Sequence, residues 1–284
     1  MSNKLKQQAK FVSNDVGFTG TRGRWSSAVT DILELLTNLK YHTFLANQEV
    51  VNRYYRSVLG PLWMTIGTLT FVIGYATLAG FLFKLSIAEV IGYIATGAVF
   101  WTFISSALTE AAFLYPSSAS EATSDRTNFL ALSYKVLMRN LIAFLHAIPI
   151  ILLVVGYFQG LTWWALLAIP GTILATLILL PLSLIISILA ARFRDIGQLT
   201  ITVTQFMFYM TPILWKPETL GNGMGQYIVI FNPFYYLIAL VRDPLMGNKP
   251  DFMIWAVSAG IATFGFLIAT LLYTRFRTRI IFWI

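Results

Sequence analysis

Cysteine is absent from the 284 residues, and histidine occurs only twice, at His42 and His146. The first absence removes disulfides, thiol nucleophiles and thiolate metal sites. Two distant imidazoles do not make a histidine metal centre, so no metal is expected. Charge is scarce as well, at 11% of residues, where soluble domains carry about 25%. No G-x-x-x-x-G-K-[ST] phosphate loop occurs, so no nucleotide site is expected on this chain. Gly221, Gly223 and Gly225 follow no strand and read as a flexible loop. The apolar stretches are continuous rather than alternating, which argues against an outer-membrane barrel. Met1 to Lys10 is polar and lacks the apolar core of a cleavable signal. No grouping of residues suggests catalysis.

What remains is 57% hydrophobic with a mean hydropathy of +0.71, the composition of an all-α polytopic membrane protein. The stretch Arg53 to Met64 sets its orientation. Arg53 and Arg56 precede a Gly60-Pro61 break, Trp63 follows, and an apolar run continues to Phe83. Arginines excluded from hydrocarbon, an aromatic at headgroup level and a span-length segment mark where the chain enters the membrane from the cytoplasm.

Six spans are predicted: Leu62 to Phe83, Val90 to Leu114, Leu137 to Phe158, Thr162 to Ala190, a fifth from Leu199 that meets Pro212 early, and Phe252 to Tyr273. Pro170 and Pro181 are expected to kink the fourth. Pro116 to Lys135 reads as a structured cytoplasmic loop in which Ser124-Asp125 caps a short helix. Between spans five and six, Gln226 to Met246 is apolar but broken at Asn232-Pro233 and Pro244, which fits a re-entrant hairpin better than an ordinary loop. Only four of the 20 basic residues (Lys84, Lys216, Arg242 and Lys249) fall outside in this topology. Glu89, Glu218, Asp243 and Asp251 match them, so the whole net charge of +8 is cytoplasmic. That is positive-inside bias with both termini in the cytoplasm, and not a nucleic-acid footprint.

Residues 1–25 are read as a loosely ordered cytoplasmic segment, 26–60 as an amphipathic interface helix, and 61–284 as the transmembrane domain. Val29, Ile32, Leu33, Leu36 and Leu39, then Phe44, Val51, Tyr55 and Val58, give the helix its apolar stripe. A helix docked on a soluble partner would look the same.

Two ionisable groups lie within apolar spans. Glu110 is placed to meet Arg126, Lys135 or Arg139, and His146 to bond a neighbouring helix; a helix-to-helix polar contact is the favoured role for both. Aromatics are numerous, with 22 Phe, 13 Tyr and 8 Trp. Phe71 and Tyr75 share a stripe on the first span, while Phe208 and Tyr209 crowd the fifth ahead of Trp215. Such rings suit sugar faces, although packing and lipid contact are the commoner uses.

Several blocks carry a resemblance: Arg53 to Trp63, Arg139 to His146, Ala191-Arg-Phe-Arg-Asp-Ile196, Thr211-Pro-Ile-Leu-Trp215, and Asn232 to Ile238 continuing through Arg242 to Gly247. In this order they resemble the permease subunit of bacterial ABC exporters of cell-surface polysaccharide, of the ABC-2 type. The one departure is Asp243 after Arg242, where small or apolar residues are commoner. The resemblance implies an inner-membrane homodimer with two separate ATPase subunits that hold ATP and Mg, so the chain itself is not an enzyme. It implies a lipid-linked, O-antigen-like polysaccharide as substrate. It places ATPase coupling at Arg192, Phe193, Arg194, Asp195 and Ile196, and at Asp125 and Arg126. It assigns channel aromatics to Phe71, Tyr75, Phe208, Tyr209 and Trp215, and a re-entrant gate to Asn232, Pro233 and Arg242. An ABC-2 exporter of another lipid, glycan or drug stays open. So does a membrane-embedded glycosyl- or acyltransferase, although its carboxylates should cluster and these do not.

Overall fold

A computed structural model describes residues 24–60, 62–83, 86–118, 127–220, 223, 225–249 and 251–284. The loose segment expected over 1–25 lies almost wholly outside them, as do Ser124, Asp125 and Arg126. The described residues are helical with short connections, as an apolar chain requires when lipid offers its backbone no hydrogen bonds. In order they form α1 (Arg24–Thr37), α2 (Leu39–Arg53), α3 (Leu62–Phe83), α4 (Ile87–Ser117), α5 (Phe129–Phe158), a 3-10 turn (Trp163–Leu167), α6 (Ala168–Arg192) and α7 (Asp195–Met210). A second 3-10 turn (Pro217–Leu220) precedes α8 (Gly225–Ile230), α9 (Pro233–Leu245) and α10 (Phe252–Ile280).

Four segments are long and apolar enough to cross a membrane: Val90–Ser117, Phe129–Phe158, Trp163–Arg192 and Phe252–Ile280. The apolar core of α3, Thr65–Phe81, is shorter, and α7 has 16 residues. At 1.5 Å per residue α7 covers about 24 Å, less than a hydrocarbon core of about 30 Å. The apolar window of α4 is 67% buried against 22% in α5 and α10, so α4 is the axis and those two are walls.

Both described ends of the expected loop from Pro116 to Lys135 are helix. Helix α4 runs to Ser117, and α5 begins at Phe129 under Asn128, whose Oδ1 accepts from the Ala131 amide at 3.0 Å. Ser133 lies inside that expected loop. It is buried, its hydroxyl bonded to Tyr115 Oη at 2.9 Å and to the Phe129 carbonyl at 3.2 Å. Pro170 falls in the first turn of α6, where proline is tolerated, while Pro181 lies inside the helix.

The expected single interface helix is two. It breaks at Asn38, whose Nδ2 donates to the Glu34 carbonyl at 3.0 Å, while Thr37 donates to Leu33 at 2.8 Å. Ala28, Asp31 and Leu35 of α1 and Ala46 and Val50 of α2 are buried. The apolar stripe of Val29, Leu33, Leu36, Phe44 and Val51 is exposed, so the packed face is the one with smaller and more polar residues.

At the other end, α8 and α9 form a hairpin around Asn232. Its Oδ1 accepts from the Phe234 amide at 2.9 Å, and Pro233 opens α9. Gly171 lets α9 close on α6, since a Cβ there would collide with the Leu240 carbonyl.

Candidate functional site

The two ends of the bundle hold different chemistry. The end carrying Arg192, called the basic end, contains an ion network across α2, α4 and α5. Glu110 of α4 accepts from Arg139 at 2.7 Å, Asn140 at 2.6 Å and Arg53 at 2.9 Å. Glu49 of α2 pairs with Lys135 at 2.7 Å and also with Arg139, which therefore bridges both carboxylates. Burial would raise the Glu49 carboxyl, but Lys135 and Arg139 outweigh it and hold the group below its ordinary range. Of the three partners expected for Glu110, Arg139 is right, Lys135 serves Glu49 instead, and Arg126 lies outside the described residues. These side chains, with Phe113 and Ile201, line a cleft of about 650 Å³.

A second tie fastens α1. Asp31, 3% exposed, accepts from Tyr273 Oη at 2.5 Å and from Arg277 Nε and Nη2 at 2.5 and 3.0 Å. Asn128 adds a bond to the Asp31 carbonyl at 3.0 Å. Sequence reasoning missed this anchor. The available signal was Asp31 standing three residues after Ala28 and four before Leu35, on one helical line.

Between α6 and α7 the chain turns sharply. Phe193 is 57% exposed, and the Arg192 guanidinium lies 5.7 Å from its ring and 5.4 Å from that of Trp283. Arg194 and Asp195 are exposed and Ile196 is partly covered. Asp195 occupies the first turn of α7, where a carboxylate faces the positive end of the helix dipole. Gly197 seats α7 against Phe113, whose ring would stand 2.8 Å from an added Cβ.

The opposite, hairpin end collects the aromatics. Phe71 lies 6.2 Å from Tyr75 and 6.1 Å from Phe208, which lies 5.3 Å from Tyr209. Trp215 Nε1 donates to the Tyr209 carbonyl at 3.1 Å. All five aromatic candidates therefore share one seam between α3 and α7, with Phe71 and Tyr209 exposed. Trp101, not singled out from sequence, extends the seam to Phe208 at 6.0 Å and Phe234 at 5.4 Å.

Beneath the seam, the turn from Thr211 to Trp215 is held from four elements. Tyr75 Oη donates to the Leu214 carbonyl at 3.2 Å, and Tyr93 Oη to those of Pro212 and Trp215 at 3.1 and 3.3 Å. Asn232 Nδ2 reaches Thr211 Oγ1 at 2.9 Å. Arg242, 3% exposed, donates to Pro212 at 2.5 Å, pairs with Asp243 at 3.3 Å and stacks 4.2 Å from the Tyr93 ring. Asn232 and Arg242, expected as gate residues, thus grip this turn directly. His146 departs from expectation: it is exposed, and its Nδ1 meets the Ile142 carbonyl of its own helix at 2.7 Å. With an i−4 carbonyl in reach it needs no neighbouring helix.

Residues 43–246, containing the α2 ion ties, the aromatic seam and the hairpin, match the ABC-2 type transporter family. The chain belongs to that family. This permease is 28% identical over 215 residues to an O-antigen export system permease protein RfbA of Klebsiella pneumoniae, covering 73% of this chain and 81% of the relative. A second Klebsiella protein of that name is 28% identical over 211 residues, 72% and 79% of the two chains. One from Myxococcus xanthus is 22% identical over 204 residues, 68% and 75%. The family match begins within α2 and ends just past α9, so the grip on the Thr211–Trp215 turn falls wholly inside it.

Proposed function

We propose that this permease is the membrane subunit of an ATP-driven exporter that moves a lipid-linked, O-antigen-like polysaccharide across the bacterial inner membrane. Two copies form a dimer, and two separate ATPase subunits supply ATP and Mg. The observation that carries the reading is the likeness to O-antigen export permeases over about three-quarters of each chain. In this reading 61–284 is the transmembrane domain, with α3 and α7 completing six spans and α8–α9 re-entrant from outside. The exposed rings of Phe71 and Tyr209 offer flat faces to sugars at the seam. A membrane transferase is disfavoured because Glu49 and Glu110 are both engaged by cations.

Coupling is assigned to the Arg192–Ile196 turn, with Asp125 and Arg126 as further candidates. Phe193 is a ring left in water with charges on either side, the form of a knob that a partner covers. Burying it stabilises a complex enough that Phe193→Ala weakens ATPase association about tenfold or more. In cells lacking the chromosomal copy, the native sequence restores surface polysaccharide. Phe193→Ala inserts and dimerises but leaves lipid-linked glycan at the cytoplasmic face, and the ATPase is lost on purification. Surface polysaccharide that persists without any copy of the chain would refute the export reading.

The topology is checked with single cysteines, which the cysteine-free chain allows without background. Ser27→Cys and Thr278→Cys stay shielded from an impermeant reagent outside intact cells, while Ser86→Cys and Asn222→Cys react. Labelling of Thr278→Cys from outside would reverse the orientation.

A further inference from the structure

Residues of α5, α6 and the 3-10 turn before it, with Val241 and Leu245 of α9, line a groove of about 960 Å³. Both walls are among the segments long and apolar enough to span, so its open side faces lipid hydrocarbon. Leu145, Ile148, Ile169 and Ile173 are typical of the lining, and none of the described residues lining it is charged. The hydroxyls of Thr172 and Thr176 are turned back onto the Ala168 and Thr172 carbonyls at 2.7 and 2.8 Å, so these residues add no unsatisfied donor. A groove of this kind has nothing to offer water or a sugar. It suits a flexible hydrocarbon chain.

The mouth is different. Trp163, 88% exposed, lines it, and Trp164 follows in the same turn, where tryptophan settles at headgroup depth; Thr162 of the lining meets Gly247, two residues before Lys249. The exposed Lys249 ammonium lies 5.9 Å from the Trp164 ring. The nearby carboxylate of Asp251 is turned to the start of α10, accepting from the Met253 amide at 3.4 Å. An apolar slot at membrane depth, capped by tryptophan and one lysine, matches a lipid with a negative headgroup.

We propose that this groove binds one acyl chain of an anionic phospholipid, with its phosphate beside Lys249 and Trp164. In the topology proposed above, that lipid belongs to the outer leaflet. The floor of the groove is completed by Val241 and Leu245 of α9. Val241 adjoins Arg242, whose guanidinium holds Pro212, so the bound chain buttresses the helix that grips the turn. The lipid is thus a structural ligand of the hairpin, distinct from any transported molecule.

The test is native mass spectrometry of the permease with its ATPase, exchanged into phosphatidylglycerol or phosphatidylethanolamine. The native sequence retains phosphatidylglycerol preferentially. Ile173→Trp, which fills the groove from an exposed position, lowers retention of both lipids at least about tenfold, as the apolar area lost to the chain requires. Lys249→Gln keeps the chain but reduces the preference for phosphatidylglycerol about fivefold. Equal retention by all three proteins overturns the proposal. Disulfide formation between copies carrying Ile173→Cys would assign the groove to a second permease, and displacement by a polyprenyl phosphate would assign it to the carrier; either overturns it. Lipid retention by the native permease in a strain whose surface polysaccharide persists without this chain counts against the export reading alone.

Discussion

Arg139→Met is expected to lower the thermal stability of the purified permease by roughly 6–12 °C and to free α2 from the bundle. Among the described residues, Arg139 alone pairs with both Glu49 and Glu110. Without it, two carboxylates share Lys135 and Arg53, and Arg53 is 43% exposed, so its screening by water is substantial. Breaking a buried pair from one side costs about 3–5 kcal/mol. Arg139 and Glu110 keep 17% and 24% of their side-chain surface, so the lower figure, about 3 kcal/mol, applies. A loss of that size gives the stated shift in melting temperature. Arg139→Met with Glu110→Gln removes an unpaired charge together with its partner and is expected to recover part of the loss. Scanning fluorimetry on the set decides it; a double variant less stable than Arg139→Met contradicts the bridging role.

Gly171→Ala is the second large effect, and it acts at the other end. The added methyl meets the Leu240 carbonyl, a backbone atom held in α9 that cannot rotate aside. Overpacking of this kind costs about 1–3 kcal/mol. Relief requires α9 to move outward, which draws Arg242 from Pro212 and loosens the Thr211–Trp215 turn. Export should fall at least about fivefold at normal membrane abundance. Gly260→Ala is the control, because nothing lies within 4 Å of its added Cβ, and alanine is the better helix former. If both variants export alike, the approach of α6 and α9 is not what holds the hairpin.

The long spans were legible because hydrocarbon thickness translates directly into run length: the helices from Phe129 and Phe252 follow from it. Helix α7 was legible as a misfit, since Pro212 stops it short, and the structure puts the gripped turn just there. The hairpin at Asn232-Pro233 was marked by its own cap. Residue pairings were less accessible. Glu110 could be placed near Arg139 because both lie close to the same membrane face, but Glu49 drew no attention, and its partnership with Lys135 depends on how α2 crosses α5. The break at Asn38 was hidden by apolar periodicity that runs on through it. Ser133 fell within the stretch read as loop, yet its hydroxyl is satisfied by Tyr115 inside the bundle.

The anchor at Asp31 bears on how the chain is made. Its carboxylate waits 246 positions for the Arg277 guanidinium. At ribosomal rates of about 5–20 residues per second, that is roughly 12–50 s during which α1 has emerged and its partner does not yet exist. The first of the described helices to emerge therefore gains this tie only when α10, one of the last, has been made. Until then the Asp31 carboxylate is without the guanidinium that it accepts from in the finished fold.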